Sequence, residues 1–201
     1  MNNLIDADWW KTATLADVKA EIAAGADVMK DNWQGLTSVH MAAMYGSPEI
    51  IQALINAGAD TTAGNCSMTP LHYALKDPGK VKALLAAGAE VDARPEDSTP
   101  LRLTMDTPLF HAVTGGTEET IQLLIDAGAN VMTRNAAGIT PLHAVNDKHT
   151  ESIKSLLSAG ANIMARDNNA DTPLHTQAAG SHCENVRVLL SLGADANAKN
   201  K

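Results

Sequence analysis

The chain is 201 residues long, carries a formal charge of −8, and is 45% hydrophobic but only 3% aromatic. Large rings supply much of the buried area of an ordinary core, so an apolar fraction this poor in them and rich in alanine points away from a compact globule and toward thin helices packed in a row. An acidic balance, with a pI near 5.2, argues against phosphate-backbone binding and against attraction to an anionic membrane, and no apolar run approaches the roughly 20 residues that cross a bilayer.

The first residues, Met1 to Asp8, lack the basic and apolar regions of a secretory signal. A cytoplasmic location is expected, and the same absence is compatible with release as an effector by a route that needs no such signal. Cys66 and Cys183 lie far apart in the sequence, so no disulfide is expected in a linear arrangement. Residues 1–35 read as an N-terminal capping unit. Within it Leu15, Val18 and Ile22 share one helix face, and Trp9 and Trp10 close the end of the core.

From there the chain repeats itself. A Gly-Ala pair recurs at Gly25, Gly58, Gly88, Gly128, Gly160 and Gly193, with spacings of 33, 30, 40, 32 and 33 residues. In phase with it run Thr37-Ser38-Val39-His40, Thr69-Pro70-Leu71-His72, Thr107-Pro108-Leu109-Phe110, Thr140-Pro141-Leu142-His143 and Thr172-Pro173-Leu174-His175. Threonine then proline is a helix start, with Thr as N-cap and Pro at the first helical position. A second helix follows, apolar at helical spacing, as in Glu49 to Ile55. Glycine then supplies a left-handed C-cap, and a turn-rich stretch leads to the next unit. One such unit is too small to bury its own apolar face and is stable only when stacked.

These residues resemble the ankyrin repeat, with its Thr-Pro-Leu-His signature and period of 33 residues. The resemblance spans about Trp9 to Lys201 and implies an all-α solenoid of helix-turn-helix units joined by β-hairpin-like fingers. Residues 1–201 form a single domain in this reading, with repeats starting near 36, 68, 106, 139 and 171. The third unit holds extra residues, an insertion near 95–106 containing a decoy Thr99-Pro100-Leu101. Thr107 lies 21 residues before Gly128, as Thr37 does before Gly58, and is the expected helix start. The chain ends where another unit would begin.

Candidate chemistry is sparse. In the resembling family the signature histidine, here His40, His72, His143 and His175, is a structural hydrogen-bonding residue. His143 with His149, and His182 beside Cys183 and Glu184, lack an established zinc spacing. No nucleophile elbow, phosphate loop or dinucleotide fingerprint occurs. Glu118 and Glu119 read as favourable charge at a helix start. No cofactor, metal or small-molecule substrate is expected. Met29, Met132 and Met164 occupy equivalent places and read as packing between fingers, the alternative being an adaptable binding strip.

Partners in the resembling family are gripped by finger tips and by the exposed face of each first helix. Carried onto this chain, that implies Trp33, Leu36, Met41, Met44, Tyr45, Met68, Tyr73 and His111, with Asn65, Cys66, Lys76, Asp77, Met105, Asp106 and Thr114 also on this face. Three of the six aromatics, Trp33, Tyr45 and Tyr73, fall on this face, where aromatic hot spots are expected. The expected function is a monomeric, non-catalytic protein-interaction module that binds another protein and no nucleic acid or membrane, its acidic surface suiting a basic rim. The alternatives are an inhibitor or immunity protein for a toxin or enzyme, and the targeting module of a larger effector.

Overall fold

The structure, a computed structural model, describes residues 2–62, 68–94 and 106–201. After a 3-10 turn at Asn3–Ile5 come α1 (Ala7–Trp10) and α2 (Leu15–Ala23). The pairs that follow are α3 (Ser38–Tyr45) with α4 (Pro48–Asn56), and α5 (Pro70–Tyr73) with α6 (Pro78–Ala86). Next come α7 (Pro108–Gly115) with α8 (Glu118–Asp126). The fourth unit has a 3-10 turn at Pro141–His143 where a first helix would stand, and then α9 (Thr150–Ser158). The last pair is α10 (Pro173–Ala179) with α11 (Cys183–Ser191). Among the described residues the only extended pairing is an isolated antiparallel bridge between Asp31 and Thr37 at the base of the first finger.

The helices form two rows. α2, α4, α6, α8, α9 and α11 pack in succession as the outer row. α3, α5, α7, the Pro141–His143 turn and α10 make the inner one. Between the rows runs a core in which each of the last five outer helices buries one leucine completely: Leu54, Leu84, Leu124, Leu156 and Leu189. Leu71, Leu109 and Leu142 of the signature meet them from the inner row and are equally buried. At the N-terminal end Trp10 is buried, stacks edge-on to Trp9 with ring centroids 5.5 Å apart, and donates its indole N–H to the Leu4 carbonyl at 2.9 Å.

Local chemistry explains the helix ends. α4 stops because Gly58 takes φ +93°, which lets Ala59 N–H return to the Leu54 carbonyl at 3.0 Å. The inner helices start on a threonine–histidine device. His40 Nδ1 accepts the Thr37 backbone N–H at 3.1 Å and lies 2.9 Å from Thr37 Oγ1. Because Nδ1 accepts, the ring proton sits on Nε2, and Nε2 donates to the Met68 carbonyl of the next unit at 3.0 Å. His72 repeats this toward Asp106 and His143 toward Asp171, each at 3.1 Å. Each ring therefore caps its own helix and ties it to its neighbour.

The fingers are linked as well. Met132 Sδ accepts the Asn162 N–H at 3.2 Å and Met164 Sδ the Asp195 N–H at 3.5 Å. Asp92, at the equivalent position one unit earlier, accepts the Asn130 N–H at 3.0 Å. These methionine sulfurs pack and bond between adjacent fingers.

Candidate functional site

The inner row is not uniform. α3 and α7 run eight residues each, but α5 between them has only four. The deletion shows in the sequence as the 30-residue step from Gly58 to Gly88. Past α5 the chain turns through Ala74 to Lys76 into Asp77, whose Oδ1 caps α6 by accepting the Gly79 and Lys80 N–H groups at 2.9 and 3.2 Å. The two longer helices overhang this short one. The result is a groove of about 480 Å³ lined by Met44 and Tyr45 from α3, by His72, Tyr73, Leu75 and Lys76 around α5, and by His111, Thr114 and Gly115 from α7.

The walls are held from behind. Lys80 is buried, and its ammonium donates to the Ala43 carbonyl at 3.0 Å in the last turn of α3. A cation there suits the negative end of the helix and fixes the turn that carries Met44 and Tyr45. Burial pushes the Lys80 amine below its ordinary range, with Asp77 acting the other way. Tyr73 meets His40 edge-on at 6.1 Å, and His72 meets His111 edge-on at 5.4 Å.

Burial lowers His40 and His72 to about 4 and also lowers His111, whose shift Asp106 opposes. The imidazoles in and behind the groove are therefore neutral at pH 7. Asp106 sits deeper, 7% exposed and raised by burial. Its Oδ1 and the Nε2 of His111 are buried without hydrogen-bond partners.

The structure distributes the expected contact residues unevenly. Met44, Tyr45, Tyr73 and His111 come together in the groove. Trp33 stands at the tip of the first finger, 91% exposed, on a turn in which Asn32 Oδ1 accepts the Gln34 and Leu36 N–H groups. Leu36 is half-buried against the core, and Met68 is half-buried with its carbonyl taken by His40. None of these three lines the groove. Met41 departs from the expected exposed position: it is 1% exposed and part of the core. α1, the Asn3–Ile5 turn, α4 and α5 all pack on α3, which leaves only its final residues, Met44 and Tyr45, accessible. Asn65, Cys66, Met105 and residues 95–105 of the insertion lie outside the described residues. Lys76 and Thr114, also on the expected face, line the groove as well; His72, Leu75 and Gly115 complete it, and the shortened step between glycines is the signal that locates the depression.

Elsewhere, Ser152 donates to Glu118 and His149 Nδ1 lies 3.9 Å from Glu118 Oε1, but both Ser152 and His149 are buried between helices. His182 pairs with Asp147 at 2.5 Å. Among the described residues no cluster of three or more His, Cys, Asp or Glu could hold a metal ion, and no helix is long and apolar enough to cross a membrane.

Comparison with known proteins agrees with this architecture. A solved structure of the ankyrin repeat domain of Bcl-3, described as a unique member of the IkappaB protein family, superposes with a TM-score of 0.74 at 26% identity, covering 96% of this chain and 88% of that one. The mitochondrial disaggregase of Bos taurus is 29% identical over 126 residues, 63% of this chain. The chain spans only 18% of that relative's length. The family model for ankyrin repeats (three copies) matches residues 13–95 and 109–200. With stacked helix pairs, threonine–histidine ties between units and a match over most of its length, this chain belongs to the ankyrin-repeat family.

Proposed function

We propose that the chain is a non-catalytic recognition module that grips a partner protein across its inner row, centred on the groove between α3 and α7 and extended by Trp33. The observation that carries this reading is the gathering of Met44, Tyr45, Tyr73 and Leu75 around one open depression in a chain with six aromatics in all. Tyrosine and tryptophan dominate interface hot spots, and methionine adapts to irregular partners. Tyr45 is 50% exposed and Trp33 91%, apolar area that a free-standing protein gains nothing by displaying. In the bovine disaggregase the matched segment is a minor part of a much longer chain, consistent with a module whose task is recognition.

The test is quantitative affinity capture from cell lysate, comparing the chain with a Trp33→Ala/Tyr45→Ala/Tyr73→Ala variant of matching circular dichroism. Capture of a defined protein that falls at least tenfold in the variant supports the reading. Equal capture by both removes this face as the binding surface.

A further inference from the structure

The groove differs in charge from the molecule that holds it. The chain carries 23 Asp and Glu against 15 Lys and Arg, yet among the described residues the groove is lined by one lysine and no carboxylate. Lys76 is exposed and makes no ion pair with a described residue. Of the described carboxylates adjoining the lining, Asp77 is turned into the start of α6, and Asp106 is buried beside His111, on whose ring its charge still acts. His72 and His111 are held neutral by burial and add no second charge. What remains is a depression that sets Met44, Tyr45, Tyr73 and Leu75 beside two imidazoles and a threonine, with Lys76 the one cation among its described lining residues.

Resting on the recognition role above, we propose that this groove seats a short segment of the partner in which a large aliphatic or aromatic side chain has an Asp or Glu close beside it. The apolar side chain enters between Met44, Tyr45, Tyr73 and Leu75, and the carboxylate pairs with Lys76 Nζ at the rim. A basic segment would meet a like charge at Lys76 and no carboxylate among the described lining residues, so charge selects against it as well as for its opposite. The preference is local and runs against the acidic character of the whole chain, which on its own would favour a basic partner.

The probe is a phage-displayed library of random dodecapeptides selected on the full chain, followed by fluorescence anisotropy of the selected sequences as fluorescein-labelled synthetic peptides. Selected sequences should share an apolar anchor within three residues of Asp or Glu. Affinity should fall at least tenfold for Lys76→Glu and for exchange of the peptide's acid for lysine, and return to within about twofold for Lys76→Arg. Lys76 is exposed, so these variants leave the core untouched, and circular dichroism checks that they do. No enrichment, or enrichment of basic peptides, overturns the proposal. Peptides that are lost with Tyr45→Ala/Tyr73→Ala but bind Lys76→Glu unchanged overturn the acidic preference and leave the concave-face reading standing. Peptides indifferent to all of these changes sink both.

Discussion

Ala170 and Gly138 occupy the same place in two successive fingers, and only one of them suits it. The finger turn is built on an Asn or Asp whose side chain accepts two backbone N–H groups: Asn135 from Ala137 and Ile139, Asp167 from Asn169 and Asp171. The third residue after it must enter the left-handed region, where Gly138 has φ +76° and Ala170 has φ +65°. A Cβ costs roughly 1–2 kcal/mol there, so Ala170→Gly should stabilise the chain by up to about 1 kcal/mol once the added freedom of the unfolded chain is subtracted. The reverse change is harsher than backbone strain alone, because a Cβ on Gly138 would lie 2.4 Å from Asn168 Oδ1 and 3.0 Å from Asn168 N. Gly138→Ala should therefore lower stability by at least about 2 kcal/mol, strain and displaced finger contact together. Urea denaturation of both variants reads the two signs. An Ala170→Gly variant less stable than the parent would mean that the Ala170 methyl makes contacts that outweigh its backbone strain.

At the scale of the element, the inner row shows how a helix can be replaced. Residues 141–143 form a single 3-10 turn, which leaves the carbonyls of His143 and Val145 without helical partners. The next unit supplies them. Gln177 Nε2 donates to His143 O at 2.8 Å and Val145 O at 3.1 Å, and Asn185 Nδ2 donates to Val145 O at 3.0 Å and Gln177 Oε1 at 2.9 Å. Both side chains are completely buried. Gln177→Leu removes three buried hydrogen bonds, although Thr176 Oγ1 still donates to His143 O and Asn185 Nδ2 to Val145 O, so a loss of about 1–3 kcal/mol is expected. The double variant with Asn185→Leu should cost clearly less than the sum of the single changes, because the pair acts as one network. Additivity in urea midpoints would show the two amides acting independently. This element also marks the limit of what the sequence discloses. Thr140-Pro141-Leu142-His143 announces a helix start as plainly as Thr37 does, and the starts, the glycine stops and the methionine contacts are all legible from local spacing. That the helix ends after one turn depends on amides more than thirty residues away, which no local pattern encodes. Met41 is hidden for the same kind of reason: its position is chosen by the periodicity of α3, its burial by the N-terminal unit packed on it. The groove was half legible, since Tyr45, Tyr73 and His111 belong to the expected face while the depression arises from α5 being short.

Over the whole molecule, the threonine–histidine ties make stability depend on pH in a definite direction. The folded state holds His40 and His72 near 4 and lowers His111 and His143, in every case chiefly by burial. In the unfolded chain these rings return to about 6.5. Between those values the unfolded chain takes up protons that the folded chain cannot, so stability is full above about pH 6.5 and falls as the pH drops toward 4. Each imidazole shifted across the full window contributes at most about 1.4 kcal/mol per pH unit. Asp106 acts in the opposite sense, because burial raises it and the folded state binds its proton first, but it is one group against four. Exposed ion pairs offer little compensation: Lys11–Asp8, Lys82–Glu119, Lys154–Glu151 and Arg187–Glu184 all lie more than half exposed, where such pairs are worth about 0–1 kcal/mol. The third unit provides an internal control. Phe110 stands in the signature position, carries no proton, and leaves Thr107 Oγ1 buried without a partner. Replacing His72 by phenylalanine should copy that state, lowering stability at pH 7 by roughly 1–3 kcal/mol for the orphaned groups while making the pH dependence shallower. Urea midpoints at pH 7, 5.5 and 4.5 for parent and variant separate the two effects. A parent whose midpoint stays flat from pH 7 to 5 would show that the histidines titrate in the folded state as they do in the unfolded chain, and that the ties between repeats open before the repeats do.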